Sequence, residues 1–581
     1  MFRKAILPAS LAAALLALAA CGSSDNNPPS ASNTPAPAAA QSPQDLAQTT
    51  TPIKHLVVIF GENRSFDHYF ATYPQAKNPT GEPAFTALPG TPTVNNLRNN
   101  NLLATNPNQT FAKNLPLVGN QPAGLLPFRF DRSQANTSDQ SHSYGPEQEA
   151  ADGGKMDAFP FFTGKAITNG AGVFGTQAAV LGFFDGNTVT GLWNYAQHFA
   201  MSQNAYTDTY GPSTPGAIAV ISGQNNGAVN VVGSGSTVPD NAGGLSLIGD
   251  TDPGHDVCSS QTSQVMLTSK NIGDLLNAAN ITWGGFMGGF NLNKTNANGS
   301  QGCNRSTLST VLNGSPTDYV PHHAWFQYYT STANPTHQRP TSLAMVGSTE
   351  PTLDNTATPV HHQYDTDDFF AAVSSGNFPS VSFLKAPSIG DGHPGNSDPL
   401  DEQQFIVNTV NFLQQQPDWK NTAVIVTYDD SDGWYDHRFQ KPTTSSFSTS
   451  DFVGGAQGNC SATDGSSGPG IGVNGATVNG RCGPGTRIPF IVISPFAKAN
   501  FVDDVQINQS SVTKFIEDNW LNGTRIGQGS NDAADNSIMS MFDFTQDVSK
   551  PRTLFLDPVM GTTLTAPPAN TATQTVTPGF M

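Results

Sequence analysis

The 581-residue chain carries 44 acidic against 26 basic residues, which gives a formal net charge of −18 at pH 7. Nucleic acids and anionic bilayers are bound by basic surfaces, so this balance argues against both as binding partners. Only 12% of the residues are charged and 56 are glycine, which predicts many irregular connections between elements.

The first 20 residues have the pattern of an export signal. Arg3 and Lys4 precede an apolar run from Ala5 to Ala20 that is too short to span a membrane. The run ends on Leu-Ala-Ala-Cys21, which resembles a bacterial lipobox, so we expect Cys21 to be lipidated and to begin the mature chain. The expected location is the cell envelope, periplasm or outer membrane, through this lipid. A plain secretory signal, with release outside the cell, is the alternative.

A tether, one large body and a tail follow the signal. Residues 21–50 are mostly Ser, Asn, Pro, Ala and Gln, which cannot bury a core and predict a disordered tether. Residues 51–561 form the predicted folded body, long enough for one large domain or for a core domain with sizeable insertions. The Thr-, Ala- and Pro-rich stretch 562–581 is the predicted flexible tail.

The body contains an even number of cysteines, which in an exported chain favours disulfides over free thiols. The simplest pairing joins Cys258 to Cys303 and Cys460 to Cys482. No Cys-x-x-Cys or Cys-x-x-His spacing occurs, so a thiolate zinc site is not expected.

Short apolar runs alternate with helical patterns, which favours an α/β fold whose parallel sheet is covered on both faces. The predicted strands are Leu56–Phe60, Ala217–Ile221, Ile281–Phe286, Val381–Leu384, Ala423–Tyr428 and Phe490–Ile493. The predicted helices are Glu402–Gln416 and Ser511–Trp520. Long stretches without clear periodicity are candidate active-site loops or lids, namely 223–265, 288–320, 331–365 and 438–487.

Two of the predicted strands end on oxygen donors. The first runs directly into Glu62 and Asn63, and the strand Ala423–Tyr428 runs directly into Asp429 and Asp430. Open α/β sheets bind ligands at the carboxyl ends of their strands, and adjacent carboxylates repel each other unless a cation lies beside them. The pattern therefore indicates a divalent-metal site. A capped helix after the first strand and a solvated Asp-rich turn after the second are the alternatives.

The segment Tyr210-Gly-Pro-Ser-Thr-Pro-Gly216 lies between these two strand ends in the chain. A hydroxyl held in a tight Gly-Pro turn can be directed at a metal, which lowers its pKa and makes it a nucleophile. Ser213 is the candidate, with Thr214 as a rival one residue away. An ordinary loop is the alternative interpretation of this segment alone.

These segments together resemble a known family. Gly61-Glu-Asn-Arg-Ser-Phe-Asp-His-Tyr-Phe70 and five further segments, in order from about Thr51 to Asp557, are similar to the bacterial phosphoesterase family that contains phospholipases C and certain acid phosphatases. The resemblance implies an alkaline-phosphatase-like three-layer sandwich with a mostly parallel central sheet and long loop insertions.

The resemblance also implies a site. In this family the two strand-end segments bind one divalent metal, and the matching positions are Glu62, Asn63, Asp429 and Asp430. Ser213 matches the phosphoryl-accepting nucleophile, which also contacts the metal. An all-oxygen ligand set suits Mg, Ca or Mn better than zinc, which stays an alternative.

Histidines supply the proton that a metal and a serine cannot deliver to a leaving alkoxide. The family pattern selects four that bind phosphate oxygens or deliver this proton, without distinguishing between them: His142, His322, His323 and His393. Asp436 and His437, on the turn after the metal pair, are expected to support the ligands rather than to bind the metal.

Departures from the phospholipase C pattern favour the acid phosphatase branch. The phospholipase C branch typically carries Gly-Pro-Thr-x-Pro-Asn-Arg at the nucleophile and Tyr-Asp-Glu at the second metal segment. At the corresponding positions this chain has Ser213 for the threonine, Gly216-Ala217 for Asn-Arg and Asp430 for the glutamate. The loss of an Arg beside the nucleophile removes a clamp for a bridging phosphodiester.

We therefore expect an acid phosphatase that hydrolyses small phosphate monoesters through a phosphoserine. A phospholipase C acting on phospholipid head groups is the first alternative. A non-catalytic surface lipoprotein on a degenerate hydrolase fold is the second.

Overall fold

The computed structural model describes residues 42–111, 126–254, 256–354 and 359–569. The predicted signal, the lipobox Cys21 and most of the predicted tether lie outside these residues, as does the end of the predicted tail. The described residues belong to one unit that begins at Ser42.

The folded body begins earlier than the sequence predicts. Helix α1 (Pro43–Leu46) lies inside the predicted tether, and the buried Gln44 side chain donates to Asn377 Oδ1 at 3.1 Å. A four-residue helix in low-complexity sequence has no periodicity that could reveal it. At the other end, the first part of the predicted tail is also bound, since Leu564 N donates to Phe555 O at 2.8 Å.

The central sheet has eight strands, which we number in chain order: β1 (His55–Gly61), β2 (Ala200–Ser202), β3 (Trp283–Met287), β4 (Gln363–Asp365), β5 (Val381–Lys385), β6 (Thr422–Tyr428), β7 (Phe490–Ile493) and β8 (Phe501–Asp503). Their spatial order is β4-β3-β5-β1-β6-β7-β2-β8, and only β7 runs against the others. Every residue of β1, β5 and β6 is buried, because both faces of these strands are covered. The predicted α/β fold with a mostly parallel sheet is confirmed.

Eleven helices surround or connect these strands in the described part of the chain: α1, α2 (Phe66–Phe70), α3 (Asn108–Phe111), α4 (Tyr144–Ala151), α5 (Phe159–Phe162), α6 (Thr190–His198), α7 (Ser213–Ser222), α8 (Ile272–Ala278), α9 (Thr366–Ser374), α10 (Pro399–Gln414) and α11 (Ser510–Trp520). The last two are the helices that the sequence predicts. Among the described residues, no helix combines the length and the apolar character that crossing a membrane requires.

One predicted strand is wrong. Ala217–Ile221 lies within helix α7 and does not form a strand. Every residue of α7 is buried, so the helix is apolar on all sides and lacks the one-sided pattern that distinguishes a helix from a buried strand.

The long aperiodic stretches fold into small sheets and irregular loops rather than open lids. Ala228–Val232, Asp252–Pro253 and Gln264–Leu267 form one three-stranded sheet, and a second lies within 444–478. Both predicted disulfides, Cys258–Cys303 and Cys460–Cys482, are confirmed.

Candidate active site

The two predicted ligand pairs lie side by side at the carboxyl edge of the sheet. Strands β1 and β6 are parallel neighbours with Gly61 opposite Tyr428, so the residues that follow each strand emerge together. Asn63 adopts a left-handed backbone with φ of 62°, and its N–H donates to Asp429 Oδ1 at 2.8 Å. Glu62, Asn63, Asp429 and Asp430 are all fully buried.

Ser213 faces this group from the first turn of α7. Its Oγ lies 2.9 Å from Glu62 Oε2, 3.3 Å from Asn63 Oδ1 and 3.4 Å from Asp430 Oδ2. The start of an α-helix is also the positive end of its dipole, which favours an anion beside Ser213.

The rival hydroxyl, Thr214, is directed elsewhere. Both its backbone N–H and its Oγ1 donate to Asp250 Oδ1 at 2.9 Å. Asp250 thus anchors the first turn of α7 and turns the Thr214 hydroxyl away from the strand-end carboxylates.

The charges of the strand-end group require a counterion. Burial and the neighbouring Asp429 raise the pKa values of Glu62 and Asp430 well above the usual carboxyl range. No hydrogen-bond donor among the described residues reaches the buried Oδ2 of Asp429. The five predicted metal ligands, of which Ser213 Oγ is one, therefore form a set of hard oxygens that fits one divalent cation.

Lys385 is a site residue that the sequence analysis missed. It ends strand β5, it is 1% exposed, and its Nζ contacts Glu62 Oε1 and lies 3.7 Å from Asp391 Oδ2. Burial opposes the charge, but Glu62 and Asp391 outweigh it and raise the pKa of the Lys385 ammonium. A lysine directly after a predicted buried strand was the signal that could have found it.

Three of the predicted histidines form a row beside Lys385. The ring centroids of His322 and His323 are 4.4 Å apart, and those of His323 and His393 are 6.0 Å apart. His323 Nδ1 lies 3.3 Å from Glu62 Oε1. Burial and the Lys385 ammonium lower the pKa of His323 well below its ordinary value, and burial lowers that of His393.

His322 differs from its two neighbours in charge. Burial lowers its pKa, but Asp250 and Asp252 outweigh this and raise it above the ordinary value. The row therefore combines a histidine that holds its proton with two that lose theirs readily.

His142 lies on the other side of the site, in the turn before α4. Its Nδ1 is 2.9 Å from Gln140 O and 3.1 Å from Asp432 Oδ1. Burial disfavours the charged ring, but Asp430, Asp432 and Asp139 outweigh it and raise the pKa of His142 well above its ordinary value. Asp432, another residue that the sequence analysis missed, also accepts from Asn63 Nδ2 at 3.2 Å.

Asp436 and His437 support the site through α2 and do not touch the strand-end ligands. Asp436 accepts from the Asp67 N–H at 3.0 Å and from Arg487 Nε at 3.0 Å, and His437 contacts Asp67. The Arg487 guanidinium pairs with both carboxylates, since it is also 3.2 Å from Asp67 Oδ1. This network ties the segment after β1 to the segment after β6.

A cavity of about 670 Å³ opens beside the nucleophile turn. His142 and Pro212 border it on the inner side, and two predicted insertions supply walls through 235–238 and 449–452. Its lining combines serine, threonine and glycine residues with the larger side chains of Tyr144, Ile248 and Phe452, and its acidic and basic residues are Asp139, Asp250 and Lys165.

Solved structures that match part of this chain include murine ectonucleotide pyrophosphatase/phosphodiesterase 5, with a TM-score of 0.28 and 9% identity over 61% of this chain and 95% of that one. The phosphonate monoester hydrolase SpPMH from Silicibacter pomeroyi has a TM-score of 0.27 and 12% identity over 63% of this chain and 73% of that one.

Curated relatives match a shorter part of the chain. The non-hemolytic phospholipase C of Pseudomonas aeruginosa is 28% identical over 146 residues, 25% of this chain and 20% of the relative. Phospholipase C A of Mycobacterium tuberculosis is 30% identical over 149 residues, 26% of each chain. The matched segments thus span a fifth to a quarter of the relatives' own lengths.

A family model covers most of the chain. The model described as the phosphoesterase family matches residues 53–521, from the start of β1 to the end of α11. This range includes both strand-end segments, the nucleophile turn and all four histidines. The chain therefore belongs to the phosphoesterase family.

Proposed function

We propose that the protein is an acid phosphatase, a metal-dependent hydrolase of phosphate monoesters that works through a phosphoserine at Ser213. The observation that carries the proposal is the Ser213 hydroxyl, which lies within 3.4 Å of oxygens from Glu62, Asn63 and Asp430 at the start of a helix. Family membership supports phosphoester chemistry, and the names of the curated relatives add phospholipids as a second substrate class.

One divalent cation would be held by five oxygen donors, Glu62, Asn63, Asp429, Asp430 and Ser213. When bound, such an ion acts as a Lewis acid that lowers the pKa of a hydroxyl and offsets phosphate charge. The oxygen set favours Mg, Ca or Mn, with zinc as the alternative.

In the first half-reaction, Ser213 gives up its hydroxyl proton to water, and its Oγ forms a bond to phosphorus as the bond between phosphorus and the ester oxygen breaks. Its hydroxyl donates toward Glu62 Oε2 at 2.9 Å, which holds Oγ beside the proposed ligand oxygens. The start of α7 stabilises the phosphoryl anion. In the second half-reaction water cleaves the phosphoserine and returns the hydroxyl.

We assign the leaving-group proton to His142. Surrounding carboxylates hold its pKa well above the ordinary value, and its ring borders the cavity in which the alcohol would lie. His322, His323 and His393 are assigned to the phosphate oxygens, with the two low-pKa rings as neutral donors.

Polar cavity walls favour a phosphatase over a phospholipase C. An acyl chain would need a continuous apolar wall, whereas serine, threonine, glycine and charged residues make up more of this lining than Val238, Ile248, Phe452 and the prolines do. Phospholipase C activity is the second candidate, because the curated relatives carry that name.

The test compares a chromogenic phosphate monoester with its phosphorylcholine diester, across pH and with added Mg, Mn, Ca or Zn. We expect faster cleavage of the monoester, with a rate that falls only above the ordinary histidine pKa of about 6.5, because the raised pKa of His142 keeps its ring protonated below that pH. His142→Gln should remove that decline, and Thr214→Ser is the matched control beside the nucleophile. Faster diester cleavage throughout would favour the phospholipase instead.

We also propose that the protein is exported and held in the cell envelope by a lipid on Cys21. Residues 1–20 would be the signal, and the tether predicted within 21–50 would connect the lipid to the folded body in the periplasm or outside the cell. Metabolic labelling with a palmitate analogue, compared with a Cys21→Ser variant, tests the anchor. Unchanged labelling of the variant would refute it.

A further inference from the structure

A second group of ligand side chains lies next to the proposed metal site. Single ligand atoms from Glu62, His323 and His393 lie within 4.8 Å of one another. Asp391 Oδ2 joins them at 3.9 Å from His323 Nδ1. Two carboxylates and two imidazoles in this arrangement are a ligand set that holds divalent cations in many proteins.

Several of these atoms are buried without a hydrogen-bond partner. Both ring nitrogens of His323 and Oδ2 of Asp391 have none among the described residues, and each side chain is at most 2% exposed. Buried polar atoms are normally partnered, so this group is incomplete without a cation or another polar species.

Lys385 already supplies one positive charge to the group. Its Nζ contacts Glu62 Oε1, the same oxygen that lies 3.3 Å from His323 Nδ1, and it is 3.7 Å from Asp391 Oδ2. A lysine is almost never fully buried unless it is paired, and an ammonium is a compact point charge with three donors. Its position is therefore set by the carboxylates, as that of a metal ion would be.

We propose that the Lys385 ammonium fills a second cation position and so restricts the centre to one divalent ion per chain. The proposal rests on the first metal site of the proposed function. Lys385 is a positioning residue here: it holds Glu62 for the first site and repels a second dication. Removing its charge should open the position between Glu62, Asp391, His323 and His393.

Metal stoichiometry tests this directly. The mature protein is stripped with a chelator, and bound Mn²⁺ or Zn²⁺ per chain is measured by calorimetric titration and elemental analysis. Wild type should bind one ion and Lys385→Met two, a doubling. The double variant Lys385→Met/His323→Ala should return to one, because it lacks a ligand of the second position.

The controls separate charge from general disruption. Lys441→Met removes an exposed lysine that pairs with Asp464, and it should leave one ion. Lys385→Arg keeps the positive charge and should also bind one. Lys385→Gln removes the charge but can still donate a hydrogen bond to Glu62, so it disturbs the buried carboxylate less than Lys385→Met does. It should bind two ions, as Lys385→Met should.

The outcomes distinguish this inference from the proposed function. One ion in Lys385→Met and Lys385→Gln would overturn it, because the unpartnered histidine nitrogens would then serve the substrate phosphate alone. Two ions in wild type would also overturn it. No ion in wild type would instead remove the metal site on which the proposed function itself depends.

Discussion

At the scale of single residues, one buried carboxylate links the two halves of the site. Glu147, on α4, accepts from the Gly211 N–H at 3.0 Å and from Ser431 Oγ at 2.8 Å. Gly211 lies two residues before Ser213, and Ser431 directly follows Asp430. Glu147 therefore fixes the distance between nucleophile and ligands without touching either.

Truncation of the Glu147 side chain should loosen both the turn at Gly211 and the turn at Ser431, because each loses its hydrogen bond to the carboxylate. We expect Glu147→Ala to lower kcat about a hundredfold, since a displacement near 1 Å at a reacting group costs this much. Glu147→Gln keeps one acceptor and should recover most of the loss. The measurement is kcat and KM for a phosphate monoester, with circular dichroism to verify folding; equal loss in both variants would contradict the account.

Sequence reasoning reached the residues that follow predicted strands but not those that act from elsewhere. A buried strand that ends on oxygen-bearing side chains is a local pattern in the sequence. This pattern allowed Glu62, Asn63, Asp429 and Asp430 to be predicted as neighbours. Glu147 lies in a short helix with no apolar face, and its role depends on two turns distant in the chain. Such contacts are properties of the fold and leave no local pattern.

A buried histidine predicts the pH dependence of stability. His362, directly before β4, stacks on Trp283 with ring centroids 4.7 Å apart, and its Nδ1 lies 3.0 Å from Trp283 O. Burial lowers its pKa to about 4. Between about pH 6.5 and 4 the unfolded chain binds a proton that the folded chain does not.

The stabilisation is therefore complete above about pH 6.5 and is lost as pH falls to about 4, by at most about 3 kcal/mol. His362→Gln should flatten this part of the curve. Chemical unfolding at several pH values gives the free energy of unfolding; parallel curves for wild type and variant over this window would rule the effect out.

At the scale of elements, helix α7 packs unusually close to the end of β6. A Cβ at Gly216 would lie 2.0 Å from the Asp429 carbonyl oxygen, so only glycine fits without a backbone shift. The phospholipase C pattern, which has Asn at this position, would need the helix to sit farther from the ligands. The close packing of α7 against Asp429 thus explains why this chain has Gly216 where the phospholipase C pattern has Asn.

Gly216→Ala should push α7 away from Asp429 and separate Ser213 from the ligand oxygens. We expect a loss of about tenfold to a hundredfold in kcat together with weaker metal binding. Gly468→Ala is the control, because a Cβ there meets nothing within 4 Å. Wild-type metal affinity and activity in Gly216→Ala would show that the close contact is not needed.

Elements were predicted where periodicity or burial was distinctive. Strands β1, β3, β5, β6 and β7 are apolar runs bounded by polar residues, and α10 and α11 show helical spacing. Strands β2, β4 and β8 have three residues each, too few for a pattern. Helix α7 was assigned as a strand because burial on every side removes the signal of a helix.

At the scale of the whole molecule, the candidate site lies at the carboxyl edge of the sheet, and long loop segments border the cavity beside it. Strands β1 and β6 bring Glu62 and Asp429 together at this edge, helix α7 brings Ser213 beside them, and residues 235–238, Thr449, Ser450 and Phe452 border the adjoining cavity. The net charge of −18 does not favour anionic substrates or anionic bilayers. Local positive charge from His142, His322, Lys385 and the start of α7 must therefore attract the phosphate.

The covalent phosphoenzyme tests the central claim most directly. A labelled phosphate monoester is mixed with the metal-loaded protein, the reaction is quenched in acid within milliseconds, and the labelled peptide is sequenced by mass spectrometry. We predict a phosphoserine at Ser213 in wild type and none in Ser213→Ala, whose turnover should fall about a thousandfold or more. Label on Thr214 or on a histidine, or full turnover by Ser213→Ala, would contradict the account.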